Sequence, residues 1–275
     1  MIDKIEKIGS SLIQHGKLND RIYLMHLEKN DIPILPTQLT ELAKKSNYAK
    51  IFAKVPSIAV EYFRQNFYFK EAYIPNFYNG KNGMYCLAKF LNRGREFVQP
   101  KDILEIQKIV DLSQSIKFSK ASPAKDVVIR RLDEKDASQL VRLYETVFKT
   151  YPFPILRADY VKATMQNSSQ YFGAFQGDKL VAASSMEINK NEQNVEMTDF
   201  ATRADYRGKG LARALLQMME KCIIDNNVKL FYTIARSLSP AMNVTFAKAG
   251  YQYGDTLKNN TNIAGKIESM NVWYK

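Results

Sequence analysis

A glycine-bearing turn set between a strand and an amphipathic helix constrains this chain more than any other feature. Asn194-Val195-Glu196-Met197-Thr198-Asp199-Phe200-Ala201-Thr202 reads as a strand, Arg207-Gly208-Lys209-Gly210 follows, and Leu211, Ala214, Leu215, Met218, Met219, Cys222 and Ile223 then recur at helical spacing. The first amides of such a helix have no partner within it, and the helix dipole adds partial positive charge there. Gly208 and Gly210 let the backbone approach an anion closely, and Arg207 and Lys209 add full charges. A nucleotide pyrophosphate fits this corner. The plainer alternative is a strand-to-helix turn that uses glycine only for its backbone angles. Gly-x-Gly-x-x-Gly fails because position 213 is Arg, and no Lys-Ser/Thr Walker ending is present. Both histidines, His15 and His26, lie early in the chain, so neither a Ser-His-Asp triad nor a His-rich metal site is expected near the turn, and no metal is expected.

The elements around the turn suggest an α/β (α+β) unit. Val127–Arg130 reads as a strand, Asp133 as a cap for a helix beginning near Glu134, and Tyr151-Pro152-Phe153-Pro154 as the break after it. Gln176-Gly177-Asp178-Lys179 closes a hairpin, Lys229–Ala235 is a further strand, Pro240 to Ala249 a helix stopped by Gly250, and Glu268–Tyr274 the last strand. The order is strand–helix–hairpin–strand–helix–strand–helix–strand. Small and polar residues over Ser115–Lys125 read as a linker, giving an N-terminal α/β unit over 1–122 and a second unit over 126–275.

Composition excludes several classes. The net charge of +12 is dispersed, with no run of five basic residues, so a nucleic-acid partner is not expected. No stretch approaches the roughly 18 apolar residues of a membrane helix. The start lacks a signal peptide's apolar centre, and Cys86 and Cys222 sit in different halves. Free, buried thiols in a cytoplasmic protein are expected. The sequence leaves a homodimer open.

Arg207, Gly210 and Ala212, preceded by Ala204-Asp205-Tyr206 and the strand, meet the pattern Arg/Gln-x-x-Gly-x-Gly/Ala. In this the chain resembles the GNAT superfamily of N-acetyltransferases over roughly residues 126–275. The resemblance implies a GNAT-type mixed, mostly antiparallel sheet flanked by helices, acetyl-CoA as co-substrate and a small-molecule amine as acceptor. The segments 151–154, 198–202, 239–243 and 259–273 further resemble the β-lysine N6-acetyltransferase family, which implies acetylation of the terminal amine of 3,6-diaminohexanoate. By the same resemblance, Phe200, Ala201 and Thr202 offer backbone groups to the pantetheine and acetyl carbonyl. Arg207, Gly208, Lys209, Gly210, Leu211 and Ala212 cradle the pyrophosphate. The family's Asn and Tyr on the following helix fall on Ser239, with Asn243 one turn along, and on Phe246, so the usual thiolate-protonating hydroxyl is missing.

An ε-amine titrates near 10.4 and arrives as ammonium, so a carboxylate must take its proton, directly or through water. Glu196 and Asp199 lie on the strand before the turn. Being three apart, they are expected on opposite faces, with Glu196 the first choice as base. Tyr251, with Tyr253 beside it, is a candidate acid. Tyr151, Phe153, Arg157 and Asn260 are candidate wall residues. A different amine (polyamine, aminoglycoside or protein N-terminus) and a non-catalytic acyl-CoA sensor remain alternatives.

The first half carries no catalytic motif. At an offset of 184, however, Pro56 aligns with Pro240, Tyr62 with Phe246, Asn66 with Gly250, Phe67 with Tyr251 and Phe69 with Tyr253. A degenerate copy without the glycine turn is one expectation, and it requires strand–helix–strand over 50–73. Chance similarity is the other.

Overall fold

The computed structural model describes residues 3–121, 126–167, 169–223, 227–263 and 265–275. The N-terminal part contains β1 (Lys4–Ile8), β2 (Ser11–Gly16), β3 (Arg21–His26), α1 (Leu35–Lys45), β4 (Lys50–Pro56), α2 (Val60–Gln65), β5 (Phe69–Tyr78), β6 (Asn82–Phe90), α3 (Arg93–Glu96) and α4 (Pro100–Ser115). The C-terminal part contains β7 (Val128–Arg131), α5 (Ala137–Val147), α6 (Ala158–Gln166), β8 (Ser169–Gln176), β9 (Lys179–Asn189), β10 (Asn194–Thr202), α7 (Leu211–Ile223), β11 (Leu230–Arg236), α8 (Pro240–Lys248), β12 (Gln252–Ile263) and β13 (Lys266–Tyr274). The sequence reading missed α6 and β12. No helix among the described residues is long and apolar enough to cross a membrane.

Two sheets result, ordered β1-β2-β3-β4-β6-β5 and β7-β8-β9-β10-β11-β13-β12. Each has one parallel pair, β3 with β4 and β10 with β11, among antiparallel neighbours. The first sheet repeats the connectivity of the last six strands of the second. In each, three antiparallel strands lead to a helix, a parallel strand, a second helix and a closing hairpin whose last strand pairs beside the parallel one. Residues 50–73 do form strand–helix–strand, as the copy requires. The turn after β3 is not glycine-bearing. There Asp31 accepts from the Ser10 and Ser11 amides (2.9 and 2.8 Å), which places an anion where the second half has glycines and cations.

Helix α7 packs Leu215, Leu216, Met219 and Ile223 on the second sheet with no exposed surface, each worth roughly 1.5–3 kcal/mol of burial. Leu216 joins the buried stripe, whereas Cys222, expected in it, faces solvent with a free thiol; of the two cysteines Cys86 is the buried one. Asp133 caps as expected, accepting from the Lys135 amide at 2.8 Å. Of the expected linker, 122–125 lie outside the described residues. The stretch before them is tied down: Ser119 N donates to Lys248 O and Arg213 Nη1 to Ser119 Oγ, both at 3.1 Å.

The two sheets meet along β5 and β12. Phe52, Phe77 and Met84 from the first share an apolar cluster with Leu230, Tyr232, Met270 and Val272 from the second. Inside this seam Lys50 Nζ donates to Glu71 Oε2 and to Lys258 O, both at 2.7 Å, and Glu71 Oε1 accepts from the Lys258 amide at 2.9 Å. Arg21 and Arg95 donate to the carbonyls of Asn260 and Asn259, so β12 is held by polar contacts from the N-terminal half.

Candidate active site

Strands β10 and β11 pair for only three residues, from Asn194↔Leu230 to Glu196↔Tyr232, and share no ladder beyond. The splay leaves the β11-side edge of β10 unpaired from Met197 onward, and backbone groups there need other partners. On its other edge β10 slips register against β9 between Thr198 and Ala201, with Asp199 at φ +55°. This bulge inserts one residue and breaks the alternation of faces. Glu196 and Asp199 therefore line the same cleft, contrary to the expectation of opposite faces.

Past β10 a single 3-10 turn, Ala204–Tyr206, leads to Arg207 in extended conformation. Gly208 and Gly210 follow at φ +79° and +73°, a region that L side chains adopt only at a cost. Residues 207–210 are exposed, and a Cβ at Gly208 would meet nothing within 4 Å, so the corner is open. Gly210 O accepts from Ala214 N at 3.0 Å, which starts α7 and leaves the amides before it free of helical partners. Lys209 Nζ lies 4.4 Å from the centre of the Tyr206 ring. The open turn and splayed strands fit a diphosphate-bearing pantetheine ligand.

Between the sheets runs a cleft of about 1080 Å³ lined by both halves of the chain. Its chemistry is carried by three carboxylates. Glu196 accepts from Tyr232 Oη at 2.7 Å. Asp199 is buried and accepts from Ser185 Oγ at 2.5 Å and from Tyr151 Oη. Burial outweighs those hydroxyls and raises its carboxyl above the ordinary range. Glu187 stands directly opposite Glu196 in the β9–β10 register and opens onto the cleft. It is exposed at the open side of the cleft; loss of water among the lining groups, then the charges of Glu196 and Asp199, push its carboxyl up to about 8, with Lys54 opposing them. Facing them, Lys54 of β4 places Nζ 3.4 Å from Tyr232 Oη and over the Tyr23 and Tyr232 rings, at 5.3 and 5.7 Å. Enclosure works against its charge, but the oxygens of Tyr23, Tyr232 and Glu196 prevail and hold the ammonium well above its usual range.

Of the residues read from the sequence, Glu196, Asp199, Phe200, Phe246, Tyr151, Phe153 and Asn260 line this cleft. Phe200 and Phe246 meet edge to face at 5.4 Å and form an apolar end with Met242 and Ala235. Thr202 leads into the glycine turn, while Ala201 and Leu211 are buried beneath it. Three expectations need correction. Asn243 is fully buried with its amide spent inside the protein: Nδ2 donates to Ser239 O (2.8 Å) and Arg236 O (3.0 Å), and Oδ1 accepts from Asn271 Nδ2 (2.9 Å) and Trp273 Nε1 (2.8 Å). It ties α8 to β13, with no donor left for a ligand, and Ser239 is the residue at that helix's N-cap. Tyr251 is packed on Phe246 within the α7–α8 core beside Glu220 and does not line the cleft, because the chain after Gly250 turns onto the helix side of the sheet. Arg157 is exposed and bonded to Asp159. The sequence reading missed Glu187, which counting outward from the turn at residues 190–193 would have placed opposite Glu196. It also missed Tyr232 and Lys54, which no local signal marks.

The Acetyltransferase (GNAT) family model matches residues 138–251, which span the bulged strand, the glycine turn and α8. The chain belongs to the GNAT acetyltransferase family. Within it, the chain is 40% identical over 278 residues to the β-lysine N6-acetyltransferase of Methanococcus maripaludis, covering 100% of this chain and 99% of that one. It is 28% identical over 277 residues to the N-acetyltransferase YodP of Bacillus subtilis, with the same coverages. Among solved structures, a probable acetyltransferase from Staphylococcus epidermidis aligns at TM-score 0.47 and 18% identity, covering 54% of this chain and 98% of that one.

Proposed function

We propose that this acetyl-CoA-dependent N-acetyltransferase acetylates the N6 amine of β-lysine, with residues 126–275 as the catalytic domain and residues 1–122 as a GNAT-like companion. The observation that carries the reading is the meeting of Glu187, Glu196 and Asp199 with Lys54 in a single cleft at the mouth of the splayed strands. A diamino acid bears two ammonium groups and one carboxylate, and the cleft offers the opposite charges. The full-length likeness to a β-lysine N6-acetyltransferase supports the choice of acceptor.

Acetyl-CoA supplies an activated thioester carbonyl. The residues fitted to hold it are the amides from Gly208 through Ala212 with Arg207 and Lys209, and the unpaired edge of β10 at Phe200–Thr202. Glu196 takes the proton from the N6 ammonium, directly or through one water, and Tyr232 fixes the orientation of its carboxylate. Asp199, saturated by hydroxyls, holds the bulge and Tyr151 in place instead of titrating with the acceptor. Backbone amides along the unpaired β11-side edge of β10 stabilise negative charge on the carbonyl oxygen. Phe246 offers no hydroxyl, so the thiolate leaves without a side-chain acid on α8.

Thiol release from acetyl-CoA in the presence of β-lysine, lysine, spermidine and an aminoglycoside tests the proposal. β-Lysine is expected to give the highest kcat/KM, and a higher value for spermidine would reassign the acceptor.

A further inference from the structure

Resting on the reading of the cleft as the acceptor site, we infer that Lys54 of the N-terminal sheet binds the acceptor's carboxylate and so selects amino acids over plain diamines. Lys54 reaches the cleft from β4, outside the catalytic half, and among the described residues no carboxylate lies within ion-pairing distance of it. The other cations lining the cleft are engaged or peripheral. Arg236 makes two bonds of 2.8 Å to Glu268. Arg21 is spent on Asn260 O and on Thr261 Oγ1 at 3.0 Å. Arg131 and Lys190 are exposed.

Charge balance gives Lys54 its meaning. Glu196, joined by Glu187 once it is ionised, already suits cationic acceptors, and a polyamine would gain nothing from an ammonium placed beside them. A carboxylate would. One tyrosine hydroxyl separates Lys54 from Glu196: Nζ to Tyr232 Oη is 3.4 Å and Oη to Glu196 Oε2 is 2.7 Å. An extended six-carbon diamino acid spans roughly 7.5 Å from terminal nitrogen to carboxyl carbon by standard bond lengths. With its terminal amine at Glu196 on the bulge side, its carboxylate reaches Lys54 and its second amine passes Glu187. Tyr23, Phe52 and Phe77 wall this end and keep the pair from full hydration. The N-terminal half thus completes the acceptor pocket.

The test compares the full-length wild type with Lys54→Met, Lys54→Gln and Lys54→Arg, using β-lysine, lysine and the carboxylate-free 1,5-diaminopentane as acceptors. The wild type is expected to prefer acceptors bearing a carboxylate. Lys54→Met and Lys54→Gln raise the KM for those acceptors roughly 30-fold or more, since removing one partner of a desolvated charge pair leaves the other unpaired. Their kcat stays within about threefold, their KM for 1,5-diaminopentane holds or falls, and Lys54→Arg recovers part of the preference. Coenzyme A affinity and melting temperature, unchanged in at least one neutral variant, separate this effect from misfolding. A wild type indifferent to the carboxylate, or neutral variants equally weakened on all acceptors, overturns the assignment. Preference for lysine over β-lysine with the Lys54 effect intact would defeat the proposed acceptor and leave the role of Lys54 standing.

Discussion

Glu196 and Glu187 face each other across one strand pair and do different work. Glu196, held by Tyr232, is the proposed base, and Glu196→Gln should lower kcat by roughly 10²–10³-fold without changing the KM for acetyl-CoA, as initial rates would show. A loss under threefold would remove Glu196 from the chemistry. The Glu187 carboxyl, raised to about 8, is neutral below that pH and anionic above it. Its attraction for a cationic acceptor therefore appears as pH rises through about 8, and the acceptor KM should fall over that interval. The acceptor amine titrates higher, near 10.4, so the two effects separate. Glu187→Gln should flatten the limb near 8; an unchanged profile would contradict the assignment.

The glycine turn and its flanking elements were legible because strand, turn and helix are local in sequence. The bulge was not, since a register slip depends on how β9 pairs with β10, and it reversed the expected facing of Asp199. Helix α6 buries only Val161, which leaves little periodicity to read. Strand β12 reads as polar because Arg21, Lys50 and Arg95 of the other half bond to its backbone. Asn243 matched a family position by spacing, yet its surroundings make it the clasp of α8. Asn243→Ala strands the Asn271 and Trp273 donors and should cost roughly 3 kcal/mol in denaturant unfolding. At the turn, Gly208→Ala forces a Cβ into a left-handed conformation costing about 1–2 kcal/mol and should raise the acetyl-CoA KM with little effect on the acceptor KM.

At the scale of the whole molecule, two sheets of matching connectivity share one apolar seam, and the N-terminal one supplies a wall of the cleft. Its role could not be read from the sequence, because Lys54 belongs to no motif and meets Tyr232 only through the tertiary fold. The buried Lys50–Glu71 pair fastens the seam. Lys50→Met leaves Glu71 buried without its counter-ion, and a loss of roughly 3–5 kcal/mol in stability is expected by thermal or chemical unfolding. A change under 1 kcal/mol would show that the seam does not depend on the pair. What the cleft decides is which nitrogen of which acceptor meets the thioester at the splayed strands. Incubating the protein with acetyl-CoA and β-lysine and locating the acetyl group by NMR tests this most directly. A single product acetylated on N6, formed in step with free thiol, is the expected result; acetylation on N3, or no thiol release at millimolar acceptor, would contradict it.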